Sequence, residues 1–318
     1  MSIISWASTN RLNEIRQYLI VKELVNYYLK NIIRGGSIMK KSTKIWLITA
    51  TSLVALGCIM FSVAMTKIHW DFTKLSTVKY ETNTYEVTDD FNSISMLTDT
   101  ADILFVQSDD KICKVVCYEM SDMKHTTTVQ NNTLTINVTD EREWYDHIGI
   151  TLGSPKITVY LPKTEYDSLA IKEDTGDIEV PKDFKFGTID IATSTGDITI
   201  AGVTCEDDIV INVSTGKANL TDIKCKSFIS DGSTGDISLK NVIATEKFSI
   251  ERSTGDVKFD ACDATEIWVK TDTGDVTGKL LSEKIFITQT STGDVLVPKS
   301  TNGGKCEITT STGDIYIK

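Results

Sequence analysis

Apolar and polar residues alternate strictly within a motif that recurs through the second half of the chain. A Ser/Asp-Thr-Gly-Asp/Lys motif occurs eight times, and its glycines are 19 or 20 residues apart. The second and fourth residues after each glycine are almost all aliphatic, as at Ile198 and Ile200, and so are the seventh and fifth residues before it, as at Ile209 and Ile211. Alternation with a period of two indicates β-strands with one buried face.

A third apolar pair lies seven and nine residues after the glycine, as at Val203 and Cys205. Three short strands with one inward face, joined by turns, fit one coil of a solenoid. We therefore predict an all-β fold, a parallel β-helix or solenoid with coils of about twenty residues, preceded by one transmembrane helix. In two copies the pair before the glycine is displaced by one residue, and there we expect a bulge to turn Ile229 and Ile287 inward.

The repeat begins earlier than the first Thr-Gly-Asp copy. Asp99-Thr100-Ala101-Asp102-Ile103 is a degenerate coil, so we expect the solenoid to start near residue 88. Residues 130–132 predict a hairpin turn, and residues 141–149 predict an inserted loop. The chain stops directly after Tyr316-Ile317-Lys318, which predicts an uncapped last coil with an exposed strand edge at the C-terminus.

The region before the repeat contains an uncharged run from Ile45 to Met65. Its 21 residues match the ~30 Å hydrocarbon core of a membrane. Lys40, Lys41 and Lys44 precede the run, so the positive-inside rule predicts a cytoplasmic N-terminus and an extracytoplasmic solenoid. An uncleaved signal-anchor is favoured over two alternatives, a cleaved signal peptide and a lipoprotein anchor at Cys58.

Residues 1–38 fit either an amphipathic cytoplasmic helix or a segment upstream of a natural start at Met39. The predicted organisation is then as follows: 1–38 cytoplasmic segment or leader, 39–67 transmembrane signal-anchor, 68–87 linker, 88–168 degenerate β region with N-terminal coils, and 169–318 solenoid.

The segment ITVYLPKTEYDSLAIKEDTGDIEV, followed by repeated STGDI motifs, resembles the LiaG-like "putative adhesin" domain family of bacteria, a family of unknown function. The resemblance covers roughly residues 80–318. It implies a membrane-anchored extracytoplasmic β-solenoid associated with envelope stress or adhesion, and it supplies no catalytic residues.

One column of carboxylates is the candidate binding site. Stacked aspartates repel each other, and a cation such as calcium would relieve that repulsion, although hydrogen bonds to turn amides offer a simpler role. Lys217 replaces one aspartate and is expected to bridge Asp197 and Asp236. The column consists of Asp177, Asp197, Asp236, Asp256, Asp275, Asp294 and Asp314.

Other chemistry is sparse in this chain. The seven cysteines form no CxxC pair, which argues against a zinc ribbon. Cys205 and Cys225 occupy equivalent positions and are either bonded or small buried side chains. The net charge of −11 disfavours nucleic-acid binding. The three histidines lie outside the repeat, and the outward residues after each aspartate form a mixed row, so no catalytic site or cofactor is expected.

These patterns favour a non-enzymatic envelope scaffold that binds other envelope proteins, or a second copy of itself, through the solenoid wall or the C-terminal edge. The alternative is an adhesin or glycan-binding protein assisted by cations. A carbohydrate-active enzyme is a third possibility, because parallel β-helices also occur in polysaccharide lyases, but fold alone does not establish activity.

Overall fold

The computed structural model describes residues 22–23, 41–67, 69–71, 78–140 and 153–318. The chain divides into two compact units, Met1–Asp71 and Phe72–Lys318, and each is described by itself. The loop expected at residues 141–149 and the proposed start at Met39 lie outside the described residues, and so does nearly all of segment 1–38.

The first unit contains the helix α1, Lys41–Lys67. Its 27 residues span about 40 Å at 1.5 Å per residue, and it is the one described helix that is long and apolar enough to cross a membrane. Four of its hydroxyl groups bond within the helix; for example, Thr51 Oγ1 donates to the Leu47 carbonyl at 2.8 Å and Ser62 Oγ donates to the Cys58 carbonyl at 2.8 Å. Hydroxyls satisfied in this way suit a hydrocarbon environment.

The second unit consists of strands joined by tight corners. In chain order the strands are β1 Tyr80–Val87, β2 Ser93–Leu97, β3 Asp102–Ser108, β4 Cys113–Met120, β5 Met123–Gln130, β6 Thr133–Asp140, β7 Lys156–Pro162, β8 Glu165–Thr175, β9 Ile178–Val180, β10 Lys185–Thr195, β11 Ile198–Ala201, β12 Thr204–Cys205, β13 Asp208–Thr215, β14 Ala218–Thr234, β15 Ile237–Thr254, β16 Val257–Cys262, β17 Glu266–Thr273, β18 Val276–Leu280, β19 Lys284–Thr292, β20 Val295–Leu296, β21 Gly304–Thr312 and β22 Ile315–Ile317.

Successive coils stack in parallel, so equivalent residues pair with each other. Ile189 pairs with Leu169 on one side and with Ile209 on the other. The strands before each glycine form one wall, the strands after it form a second wall, and short strands such as β12 form a third. This arrangement confirms the predicted solenoid.

The predicted inward columns form one apolar interior. Ile198, Ile237 and Val257 are each 0 % exposed, and the third-wall residues such as Val203 and Cys205 are also buried. Each such side chain contributes roughly 1.5–3 kcal/mol when it is removed from water. Because a single coil has no second layer to bury it, this stabilisation arises between coils.

The two expected displacements of inward residues were wrong. Ile229 pairs with Val210 and Ile287 pairs with Glu307, both on the outward face, and Ile287 is 52 % exposed. The inward positions are held by the neighbouring residues, including Phe228 and Phe286, so the wall keeps its register. The coil that contains Ile229 is one residue shorter than the twenty-residue coils. The register shifts to accommodate this between Cys225 and Ser227.

The last two coils are stacked in an order that differs from the order of the sequence. β17 pairs with β21 rather than β19, and β21 then pairs with β19. On the second wall, β22 likewise lies between β18 and β20. The prediction of an exposed edge at Tyr316–Lys318 was therefore wrong, because the C-terminal coil is inserted between two others. The terminal rung is formed by β19 and β20.

The N-terminal end of the solenoid is closed by antiparallel strands. β2 and β3 form the degenerate coil, which β6 and β7 cover in parallel. β5 then pairs antiparallel with β6, and β4 pairs antiparallel with both β7 and β1. The hairpin predicted at residues 130–132 is confirmed, with φ of 51° at Asn131 and 60° at Asn132.

Candidate functional site

Each coil turns at the glycine of its repeated motif, and the backbone there leaves no room for a side chain. The φ angles of the eight motif glycines lie between 131° and 156°. A Cβ at Gly235 would overlap the carbonyl oxygen of Gly216 in the coil below. The Gly235 amide donates to the Thr254 carbonyl at 2.8 Å. Glycine is thus required by both conformation and stacking.

The predicted aspartate column forms a hydrogen-bonded ladder along this corner. The carboxylate of Asp177 accepts the backbone N–H of Asp197 at 2.8 Å, and Asp256 accepts that of Asp275 at 2.8 Å. The same contact recurs from Asp102 to Asp177, Asp197 to Lys217, Asp236 to Asp256, Asp275 to Asp314 and Asp314 to Asp294.

In the fold, these carboxylates accept hydrogen bonds from the backbone of the neighbouring coil. Cation binding by the column stays a prediction. Lys217 Nζ lies 3.6 Å from Asp236 Oδ2, and the Lys217 backbone N–H bonds Asp197. The expected link between the two aspartates therefore combines one side-chain ion pair and one backbone bond. Both side chains of the Lys217–Asp236 pair are about half exposed, so the pair contributes little to stability.

A second polar column, three residues before each glycine, was not recognised in the sequence. Six of its eight positions are polar, and five of these six side chains are buried. Several bond the corner carbonyls, as Thr271 Oγ1 does with Gly255 O at 3.2 Å. The signal was present, because this position has the same parity as the two apolar positions before it. The buried members include Glu173, Thr193, Arg252, Thr271 and Thr310.

Arg252, a buried member of this second column, is closely packed against its neighbours. Its Nη1 donates to the Val213 carbonyl at 3.2 Å and its Nη2 to Ser230 Oγ at 2.9 Å. A Cβ at Gly232 would overlap its guanidinium group, so the glycine provides the space that the arginine fills. Burial lowers the pKa of this guanidinium.

The terminal rung, β19 and β20, presents an unpaired strand edge. Among the described residues, β19 pairs only with β21 and β20 only with β22. Four large apolar side chains on this rung are exposed, by 40, 52, 43 and 60 % of their area: Ile285, Ile287, Val295 and Leu296.

The antiparallel cap encloses a polar cluster at the opposite end. Glu119 Oε2 accepts the His125 backbone N–H at 2.7 Å and lies 2.6 Å from His125 Nδ1. Asn83 donates to the other carboxylate oxygen at 2.7 Å, and Tyr85 donates to the His125 carbonyl at 2.7 Å. Burial, followed by the charge of Glu119, raises the pKa of the nearby Cys117 thiol to about 12.

Comparison with known proteins agrees with this architecture. A family model, Toastrack DUF4097, matches residues 91–210 and 204–318. The chain belongs to the Toastrack DUF4097 family. This confirms the resemblance seen in the sequence, and the matched residues include both the degenerate coil and the Thr-Gly-Asp coils.

Solved structures are similar to this chain at low identity. A "putative adhesin" from Bacteroides fragilis is 19 % identical, with a TM-score of 0.50 over 76 % of this chain and 97 % of that one. A "putative lipid binding protein" from Parabacteroides distasonis is 17 % identical, with a TM-score of 0.49 over 76 % of this chain and 98 % of that one. At such identity the likeness concerns the fold alone. The search of curated proteins found no match.

The cysteines of this Toastrack chain are all free thiols. Cys205 and Cys225 are buried on the third wall, where the column continues with Ala244 and Ala264. Burial raises the pKa of Cys205 to about 11 and that of Cys225 to about 12. Both act as small apolar side chains here, the simpler of the two roles considered from the sequence.

Proposed function

We propose that this protein is a membrane-anchored, non-enzymatic scaffold of the cell envelope, and that its terminal rung pairs with the terminal rung of a second copy. The observation that supports this most directly is the unpaired edge of β19 and β20 with its exposed apolar side chains. An edge of this kind is a template for pairing with another chain.

The composition of the edge favours pairing. Residues 285–292, IFITQTST, contain no charged residue and no proline. Natural sheets protect free edges with lysine, proline or bulges, and residues 285–292 contain none of these. The one lysine of β19, Lys284 at its start, is buried. An uncharged strand rich in β-branched residues is instead a good partner for another strand.

The exposure of Val295 also follows from the missing neighbour. The equivalent residues of inner coils, Ile198, Ile237 and Val257, are each 0 % exposed, whereas Val295 is 43 % exposed. The same side chain would be buried if another layer lay over the rung. Covering it would contribute on the order of 1 kcal/mol, less than the full 1.5–3 kcal/mol because it is already partly buried.

The geometry favours a second copy as the occupant. Each chain presents one open parallel end, because antiparallel strands close the other. Two copies that meet through the same surface are related by a two-fold axis, so their β19 strands would run antiparallel. Such a contact closes on itself and yields a dimer rather than a filament.

The oligomeric state of the full-length protein in detergent tests this proposal. Sedimentation analysis over a range of concentrations should show a dimer for the natural chain and a monomer for Ile287→Lys. Leu97→Lys is the matched control, because Leu97 is 47 % exposed on a wall strand away from the rung. A natural chain that stays monomeric, or an equal effect of both substitutions, would refute the pairing.

A cysteine introduced on the edge gives a second test. Gln289 is exposed on β19 and lies near the middle of the predicted antiparallel pair. Mild oxidation of Gln289→Cys should yield a covalent dimer, whereas Ser253→Cys, exposed at an inner corner, should not. If the rung instead binds a different envelope protein, neither variant would crosslink to itself.

The anchor places the scaffold outside the cytoplasm in this proposal. Support comes from α1 and from the lysines that precede and begin it, including Lys41 and Lys44. In intact cells, Ser253→Cys should react with a thiol reagent that cannot cross membranes. Reaction only after lysis would reverse the proposed orientation.

The alternative function, a cation-assisted adhesin or glycan-binding protein, is supported by the exposed aspartate column. Calorimetry with calcium on the full-length protein tests it, and substitution of several column aspartates by asparagine should abolish the heat of binding. An absence of calcium binding by the natural chain would leave the scaffold as the better proposal.

A further inference from the structure

The polar cluster inside the N-terminal cap has the composition of a metal site. Cys117 and Glu119 lie on the same face of β4, and His125 lies on β5. Their side chains are 0, 1 and 4 % exposed. One ligand atom from each residue lies within 4.8 Å of the other two.

One nitrogen in this cluster has no partner. His125 Nε2 is buried and makes no hydrogen bond, whereas Nδ1 is held by Glu119 at 2.6 Å. Glu119 is itself fixed by Asn83 and by the His125 backbone amide. A buried polar atom without a partner costs about 1–3 kcal/mol, so an unpaired nitrogen within such an ordered group indicates a ligand.

We propose that Cys117 and His125, with Glu119 behind the histidine, bind one zinc-class divalent ion in a buried site, where water would complete the four ligands. Cys117 supplies a thiolate and His125 supplies its free Nε2, the soft and borderline donors that zinc prefers. Glu119 keeps its bond to Nδ1, as carboxylates commonly do behind metal-bound histidines. Magnesium and calcium are disfavoured because they select oxygen donors.

The charges in this arrangement balance. One divalent ion, one thiolate, one carboxylate and a neutral imidazole sum to zero, which limits the cost of burying them in an apolar interior. Binding releases the proton of the Cys117 thiol to solvent and requires no oxidant or reductant. The site is independent of the terminal rung, which lies at the other end of the solenoid.

Metal titration of the chelator-treated full-length protein in detergent tests the site. We expect one equivalent of Co²⁺ to produce a thiolate-to-cobalt absorption band, and Zn²⁺ to displace it. Cys117→Ala should remove the band and weaken zinc binding by roughly 100-fold or more. Glu119→Gln should weaken zinc binding by roughly 10–100-fold, because it removes the charge behind the histidine.

Cys113→Ala is the matched control. Cys113 is buried on the same face of β4, but it lies four residues from Cys117, about 13 Å along the strand. This variant should retain the band and the full affinity. Absence of a thiolate band in the natural chain at one equivalent would overturn the proposal, and this measurement does not depend on the folding of any variant. Equal zinc binding by the two cysteine variants would also overturn it.

Discussion

Substitution of Gly235 by alanine should destabilise the solenoid more than any neighbouring surface change. Gly235 lies at an inner corner with φ of 131°, where a Cβ would overlap the Gly216 carbonyl. The two coils are held together at this corner by the Gly216 amide on the Thr234 carbonyl, at 2.9 Å, and by the Ala218 amide on the Asp236 carbonyl, at 3.0 Å.

The expected loss follows from these contacts. A non-glycine residue held at such a φ costs about 1–3 kcal/mol. Moving the coils apart would weaken the two backbone bonds, each of which contributes about 1 kcal/mol. We therefore expect a loss of roughly 3–5 kcal/mol in the free energy of unfolding. In a unit of this size, Tm falls by about 2–4 °C for each kcal/mol of lost stability, so the expected fall in Tm is roughly 6–20 °C.

Thermal unfolding of the full-length protein, followed by circular dichroism at the β-sheet band, is the assay. Ser233→Ala is the control, because Ser233 is exposed at the same corner and lies two residues from Gly235. It should change Tm by less than about 2 °C, as expected for an exposed site. A fall of less than about 3 °C for Gly235→Ala would refute the stacking argument.

Three further outcomes follow from the ladder, the buried acid and the thiols. Asp256→Ala should cost about 1 kcal/mol in urea unfolding, because it removes the acceptor 2.8 Å from the Asp275 amide, whereas Asp256→Asn keeps an acceptor oxygen and should cost less than half as much. Burial raises the pKa of Glu173 to about 8, so the folded state keeps a proton that the unfolded chain releases near pH 4.5. The free energy of unfolding should therefore fall by roughly 2–4 kcal/mol as pH rises between these two values. The variant Glu173→Gln should lose this pH dependence. Cys205 and Cys225, buried and with raised pKa values, should resist alkylation in the folded protein and react on unfolding, as read by mass spectrometry.

The sequence alone determined the coil. A strict period of two, a glycine every 19 or 20 residues and three apolar pairs define which side chains face inward, because each of these signals is local. The solenoid, its interior columns, the hairpin at residues 130–132 and the apolar helix were all predictable on this basis. The prediction for Ile229 and Ile287 was wrong because it relied on their apolar character. The wall instead keeps the alternation of inward and outward positions, which places both residues on the outward face.

Only the tertiary structure decided which coils are neighbours. Every coil carries nearly the same glycine corner, so the local pattern is satisfied by more than one stacking order, and the insertion of β21 between β17 and β19 leaves no mark in the sequence. The cap cluster depended on antiparallel pairing between strands, which brings Glu119 and His125 together around a turn. Long-range pairing of this kind is chosen by the packing of the whole unit, and for that reason the terminal rung and the candidate metal site emerged from the structure.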